Sequence, residues 1–114
     1  MDLTEIQRLQ KEFILSRKWE RFAPSLVFAH MVEELGEIAS HFLYDAGYKV
    51  AGAGHKDNSA KEKLATEFAQ TFNLFLQLAI HAEVDLESAW LKEHEKNKKR
   101  FDKETWEKLA EENK

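Results

Sequence analysis

Residues 59–82 read SAKEKLATEFAQTFNLFLQLAIHA, and this segment decides the fold. Leu64, Phe68, Phe72, Phe75, Leu76, Leu78 and Ile80 are spread around most of the circumference of a helix with 3.6-residue periodicity, so a helix here must be covered on nearly every side. Ser59 and Glu62 have the spacing of a capping box that opens it, and the apolar pattern carries it to about Ala82. At about 100° per residue, Glu67, Gln70, Gln77 and His81 fall within about 80° of one another. A carboxylate placed in such surroundings costs several kcal/mol unless it meets a cation or good hydrogen-bond partners. Something polar has to face this stripe.

Working outward, Pro24 is the only proline, and it biases the chain to begin a new helix at Pro24 or Ser25, expected to run to about Asp45. His30, Glu34, Glu37 and His41 lie within about 60° of each other on it by the same arithmetic. Two polar stripes on adjacent helices suggest a shared site. Glu34 and Glu37 project side by side one turn apart, and Glu67 from the facing helix completes a nest of three carboxylates. Magnesium suits that oxygen-only donor set, being held by few carboxylates together with waters and substrate phosphates; manganese is the alternative. A di-iron carboxylate bundle fits poorly, because that site uses Glu-x-x-His pairs and none of the five histidines has a glutamate three residues before it. His30, His41 and His81 read individually as hydrogen-bonded interior or interface groups.

The remaining elements are read from their punctuation. Leu3, Thr4 and Gln7 supply a staple and capping box for a first helix to about Trp19, with Ile6, Leu9, Phe13 and Ile14 on its apolar stripe. Residues 46–58 hold three of the four glycines and no period, which reads as a mobile loop whose Lys49 and Lys56 could close over phosphates. Asp85 caps a helix ending near Arg100, Asp102 caps a short one through Trp106 and Leu109, and 111–114 are expected to fray. The expectation is an all-α protomer of four to five helices in a single domain, residues 1–114. A third helix apolar on nearly every side is hard to cover with so few short neighbours, which argues for a homo-oligomer, most simply a dimer about a two-fold axis. Composition excludes other classes. A net charge of −4 argues against a surface that coats nucleic acid. The lack of cysteine removes disulfides and thiolate sites and points to a cytoplasmic location, and no leader or membrane-spanning run is evident.

Four stretches together carry a family resemblance: LTEIQRLQKEFILSRKW from Leu3 to Trp19, EELGEIA from Glu33 to Ala39, the block from Glu67 to Leu78, and Val84 to Arg100 with VDLESAW and KNKKR. Over nearly the whole chain they resemble the MazG-like all-α nucleoside triphosphate pyrophosphohydrolases, and within them the small dCTP pyrophosphatase type. That family holds magnesium with Glu-x-x-Glu on one helix and Glu-x-x-Asp on the next. Glu34 and Glu37 match the first pair and Glu67 the third acid, while Gln70 stands where an aspartate is expected. Gln70 offers a carbonyl oxygen without a charge. Trp19 and Tyr44 match aromatic positions near the base, Ala23 and Ser25 replace the subtype's histidine and asparagine around the proline, and Asn97 and Arg100 match positions that grip phosphate.

The resemblance implies hydrolysis of a (deoxy)nucleoside triphosphate to monophosphate and pyrophosphate, with Glu37 or Glu67 as the catalytic residue orienting water, in a homodimer or homotetramer with sites near its interfaces. The base preferred is left open. Gln70 also motivates a reading from another class: a weakened or inactive homologue that binds nucleotide, or a helical assembly module.

Overall fold

Local sequence signals account for most helix ends in the computed structural model, which describes residues 1–55 and 62–113. The elements are α1 (Leu3–Ser16), a 3-10 turn (Trp19–Arg21), α2 (Pro24–Asp45), α3 (Glu62–His81), α4 (Leu86–Arg100) and α5 (Lys103–Glu112). Among the described residues there is no strand, only an isolated bridge between Ala51 and His55. The chain is all-α over the described residues. Pro24 occupies the first turn of α2, and the side chains of Asp85 and Asp102 cap α4 and α5 by accepting from the Ser88 and Thr105 backbone N–H groups.

Three ends differ from expectation. The cap of α1 is Asp2, whose carboxylate accepts from the Glu5 backbone N–H at 2.8 Å. This frees the supposed capping box for tertiary work. Thr4 Oγ1 donates to Glu87 Oε2 at 2.8 Å, and the Gln7 amide both donates to the Val84 carbonyl (2.7 Å) and accepts from the Leu86 N–H (3.1 Å), clasping α1 to the start of α4. Second, α1 stops at Ser16, short of Trp19, because Lys18 turns left-handed (φ 60°) and redirects the chain. Third, α5 continues through Glu112, so only the last residues could form the expected tail.

The ends of α2 and α3 repeat one hydrogen-bonding motif. Gly47 (φ 75°) follows α2, with the Tyr48 N–H donating to the Leu43 carbonyl at 3.0 Å. Glu83 (φ 57°) holds the same left-handed position after α3, with the Val84 N–H donating to the Ala79 carbonyl at 2.9 Å. Residues 46–55 are accordingly a hydrogen-bonded turn region. Lys56 and the Ser59–Glu62 capping box lie outside the described residues or side chains.

Helices α2 and α3 form the principal pair, with α1 laid across α3 and touching α4. The interior is small: Ile14, Val27, Ile38, Leu76 and Ala79 are its buried apolar side chains among the described residues. The expectation that α3 is covered nearly all round is not met within one chain. Leu76, Gln77 and Ala79 are buried, whereas Phe68, Phe72 and Phe75, which share one face, are exposed. A matching face of α2 exposes Phe28, Val32, Leu35 and Phe42. The chain's radius of gyration is 18.8 Å and its extents are 52 × 48 × 26 Å. A closed domain of this length would have a radius of about 13 Å.

Candidate functional site

The left-handed turn at Lys18 sets Trp19 against the end of α1, where its ring meets Phe13 edge-on at 5.4 Å while the Arg17 guanidinium covers Phe13 at 4.3 Å. From there α1, α2 and α3 enclose a cleft of about 330 Å³. Glu34 and His30 line it from α2, Gln70 and Asn73 from α3, Trp19 and Gln10 from the α1 side. A second, apolar compartment of about 470 Å³ adjoins it, sharing Trp19, His30, Leu74 and Gln77 and adding Phe22, Leu26 and Val27. One side of the site can hold polar or charged groups and the other a flat apolar ring.

The three acids occupy different surroundings. The Glu34 side chain is 18% exposed, with Oε1 3.6 Å from His30 Nε2. The Glu67 side chain is 13% exposed, and its Oε2 lies 3.0 Å from Nε2 of the buried His41, although the two are not aligned as a hydrogen bond. Glu37 is exposed. Among the described residues neither a lysine nor an arginine lies within ion-pair distance of Glu34, Glu37 or Glu67. The one trio of histidine and acidic side chains there whose ligand atoms all fall within 4.8 Å of each other is His30, Glu33 and Glu34. Glu34, Glu37 and Glu67 form no such trio.

Of the residues expected from sequence, Trp19, Glu34 and Gln70 meet at the cleft. Glu67 sits with His41 in the α2–α3 seam. Tyr44 is half-buried near the end of α2, Asn97 is half-buried on α4, and the Arg100 guanidinium covers the Phe101 ring at 4.9 Å; none of these three lines the cleft. Sequence reasoning missed Asn73, Phe22 and Leu74. Asn73 is three residues beyond Gln70 and falls about 40° outside the polar stripe drawn on α3, so a slightly wider stripe would have included it. Phe22 and Leu74 carry no sequence signal that separates a cavity wall from core.

No protein-family model matches the chain, and no curated protein matches its sequence.

Proposed function

We propose that the chain is a magnesium-dependent nucleoside triphosphate pyrophosphohydrolase of the MazG-like all-α type, working as a homo-oligomer. The observation that carries the reading is the convergence of Trp19, Glu34 and Gln70 on one cleft beside an apolar compartment. A hard divalent cation fits the donors present. Glu34 and Glu67 are partly buried carboxylates without a lysine or arginine partner, and the buried Oε2 of Glu67 accepts no aligned hydrogen bond. Negative charge left this way in a helical seam is costly until a cation neutralises it. By the resemblance, Glu34, Glu37, Glu67 and the Gln70 carbonyl would hold the ion, which requires the three carboxylates, not grouped within 4.8 Å of one another here, to turn toward it.

When bound, magnesium neutralises phosphate charge and acidifies a water. The chain's own groups do the rest. Trp19 and Phe22 offer ring faces to a base, which stacks by dispersion and excludes water. The Gln70, Asn73 and Gln10 amides can donate to phosphate or sugar oxygens from the polar compartment. Glu37 or Glu67 would orient a water for attack on the α-phosphorus and take its proton, while the bond from that phosphorus to the oxygen bridging the β-phosphate breaks, so that pyrophosphate leaves and a nucleoside monophosphate remains. Asn97, Arg100 and Tyr44 enter through the resemblance alone.

The exposed faces of α2 and α3 support assembly: Phe28, Val32, Leu35 and Phe42 on one helix and Phe68, Phe72 and Phe75 on the other are uncovered apolar side chains of the kind that subunits bury. Among the described residues no helix is long and apolar enough to cross a membrane, and with the lack of cysteine this supports a cytoplasmic setting.

The test is the purified chain with magnesium and each (deoxy)nucleoside triphosphate in turn, with pyrophosphate and monophosphate measured. Production of both from at least one substrate is expected. Gln70 favours one rival, a nucleotide-binding module with little turnover, because an exposed neutral amide stands where a charge would strengthen the metal. If Gln70→Asp turns over and the native chain only binds nucleotide, the rival stands; if neither binds nor turns over, both readings fail.

A further inference from the structure

His41 has no part in the reaction just described, yet it is the most deeply buried charged or titratable side chain in the α2–α3 seam, 5% exposed. Ile38, three residues before it on α2, is buried as well, so an aliphatic residue would suit position 41 and spare the seam a desolvated imidazole. What faces it is Glu67, on the opposite helix, with Oε2 3.0 Å from Nε2. His30, the other histidine beside a site acid, differs: it is exposed, belongs to the same helix as Glu34, and lies 3.6 Å from it.

We infer that His41 is a positioning residue for the metal site: its Nε2 stands 3.0 Å from Oε2 of Glu67 across the helix seam, close enough to hold that oxygen once a small rotation brings the two into alignment, and this leaves Oε1 as the donor presented to the cation. This rests on the proposed magnesium site and adds to it the group that fixes how one acid binds. The physical reason is geometric. A glutamate has three rotatable bonds, and a magnesium ion demands near-octahedral placement of its donors, so an unrestrained carboxylate gives up affinity through lost rotamer freedom. Here Gln70 has already removed one charge from the site, which makes the orientation of the remaining acids count for more. Outer groups that hold ligating side chains commonly contribute a factor of about 10–100 in metal affinity.

The experiment uses Mn²⁺ as a paramagnetic probe, with free ion followed by electron paramagnetic resonance, on the native chain, His41→Leu and His41→Gln. His41→Leu keeps the seam apolar and removes the donor; its Mn²⁺ affinity should fall by about 10–100-fold, while His41→Gln, which retains an N–H donor, should recover most of it. A merely structural role would shift the unfolding midpoint of both variants and leave Mn²⁺ affinity unchanged, and that result overturns the inference. Should His41→Leu fail to fold, ¹⁵N spectra of the native imidazoles carry the test: the His41 Nε2 resonance should move on saturation with Mg²⁺, and a resonance that stays put overturns it. The two failures are distinguishable. A native chain that binds Mn²⁺ as tightly as His41→Leu removes the positioning role alone, whereas a native chain that neither binds Mn²⁺ nor releases pyrophosphate removes the metal site with it.

Discussion

Phe72→Glu tests the assembly that the exposed faces of α2 and α3 support. Phe72 is 40% exposed in the single chain, and a phenylalanine side chain offers roughly 200 Å², so about 80 Å² of ring is left for a partner to cover. At about 25 cal/mol per Å² this is near 2 kcal/mol for each copy, or about 4 kcal/mol across a two-fold axis where the residue occurs twice. That corresponds to roughly a thousandfold in Kd, before the cost of burying two carboxylates is added. Light scattering coupled to size exclusion should therefore show an oligomer for the native chain and a monomer for the variant at micromolar concentration, with circular dichroism unchanged. A variant that keeps the native mass places the interface elsewhere, and a native chain that is monomeric refutes the argument from the uncovered rings.

Glu83→Gly should stabilise the protein by about 1 kcal/mol, because glycine adopts the left-handed turn after α3 without the Cβ penalty; a calorimetric midpoint raised by a few degrees is the readout. Gln7→Ala removes two of the three hydrogen bonds of the α1–α4 clasp and should cost about 1–2 kcal/mol in urea unfolding, whereas α1 keeps its Asp2 cap and its helicity. Trp19→Ala removes the ring shared by both compartments and should weaken nucleotide binding by about 1–2 kcal/mol, seen as a KM raised roughly tenfold with kcat little changed.

Helices were legible where one residue type does one job. Pro24, Asp85 and Asp102 mark helix starts through backbone chemistry that tertiary contacts rarely override, and the structure keeps all three. Thr4 and Gln7 misled because their side chains can satisfy either a local N–H or a distant carbonyl, and spacing alone does not say which. The end of α1 was misplaced because nothing in the composition of Lys18 marks it as left-handed. At the site, stripe arithmetic found Glu34 and Gln70 and set the stripes that carry His41 and Glu67 on facing helices, but it did not pair those two side chains. It could not rank Glu34 above Glu37. The two are three residues apart on one helix, and the outer one, Glu37, is distinguished only by which neighbours α3 brings against it.

The clasp at one end of α1 and the left-handed turn at the other have a mechanical corollary. Fourteen residues of helix make a rod about 21 Å long. Its first turns are fastened to the α3–α4 corner through Thr4 and Gln7, and its last leads into Trp19 at the cleft. A stiff rod cannot tilt at one tip alone, so a tilt of α1 as a whole would carry the turn that bears Trp19 and the start of α4 together.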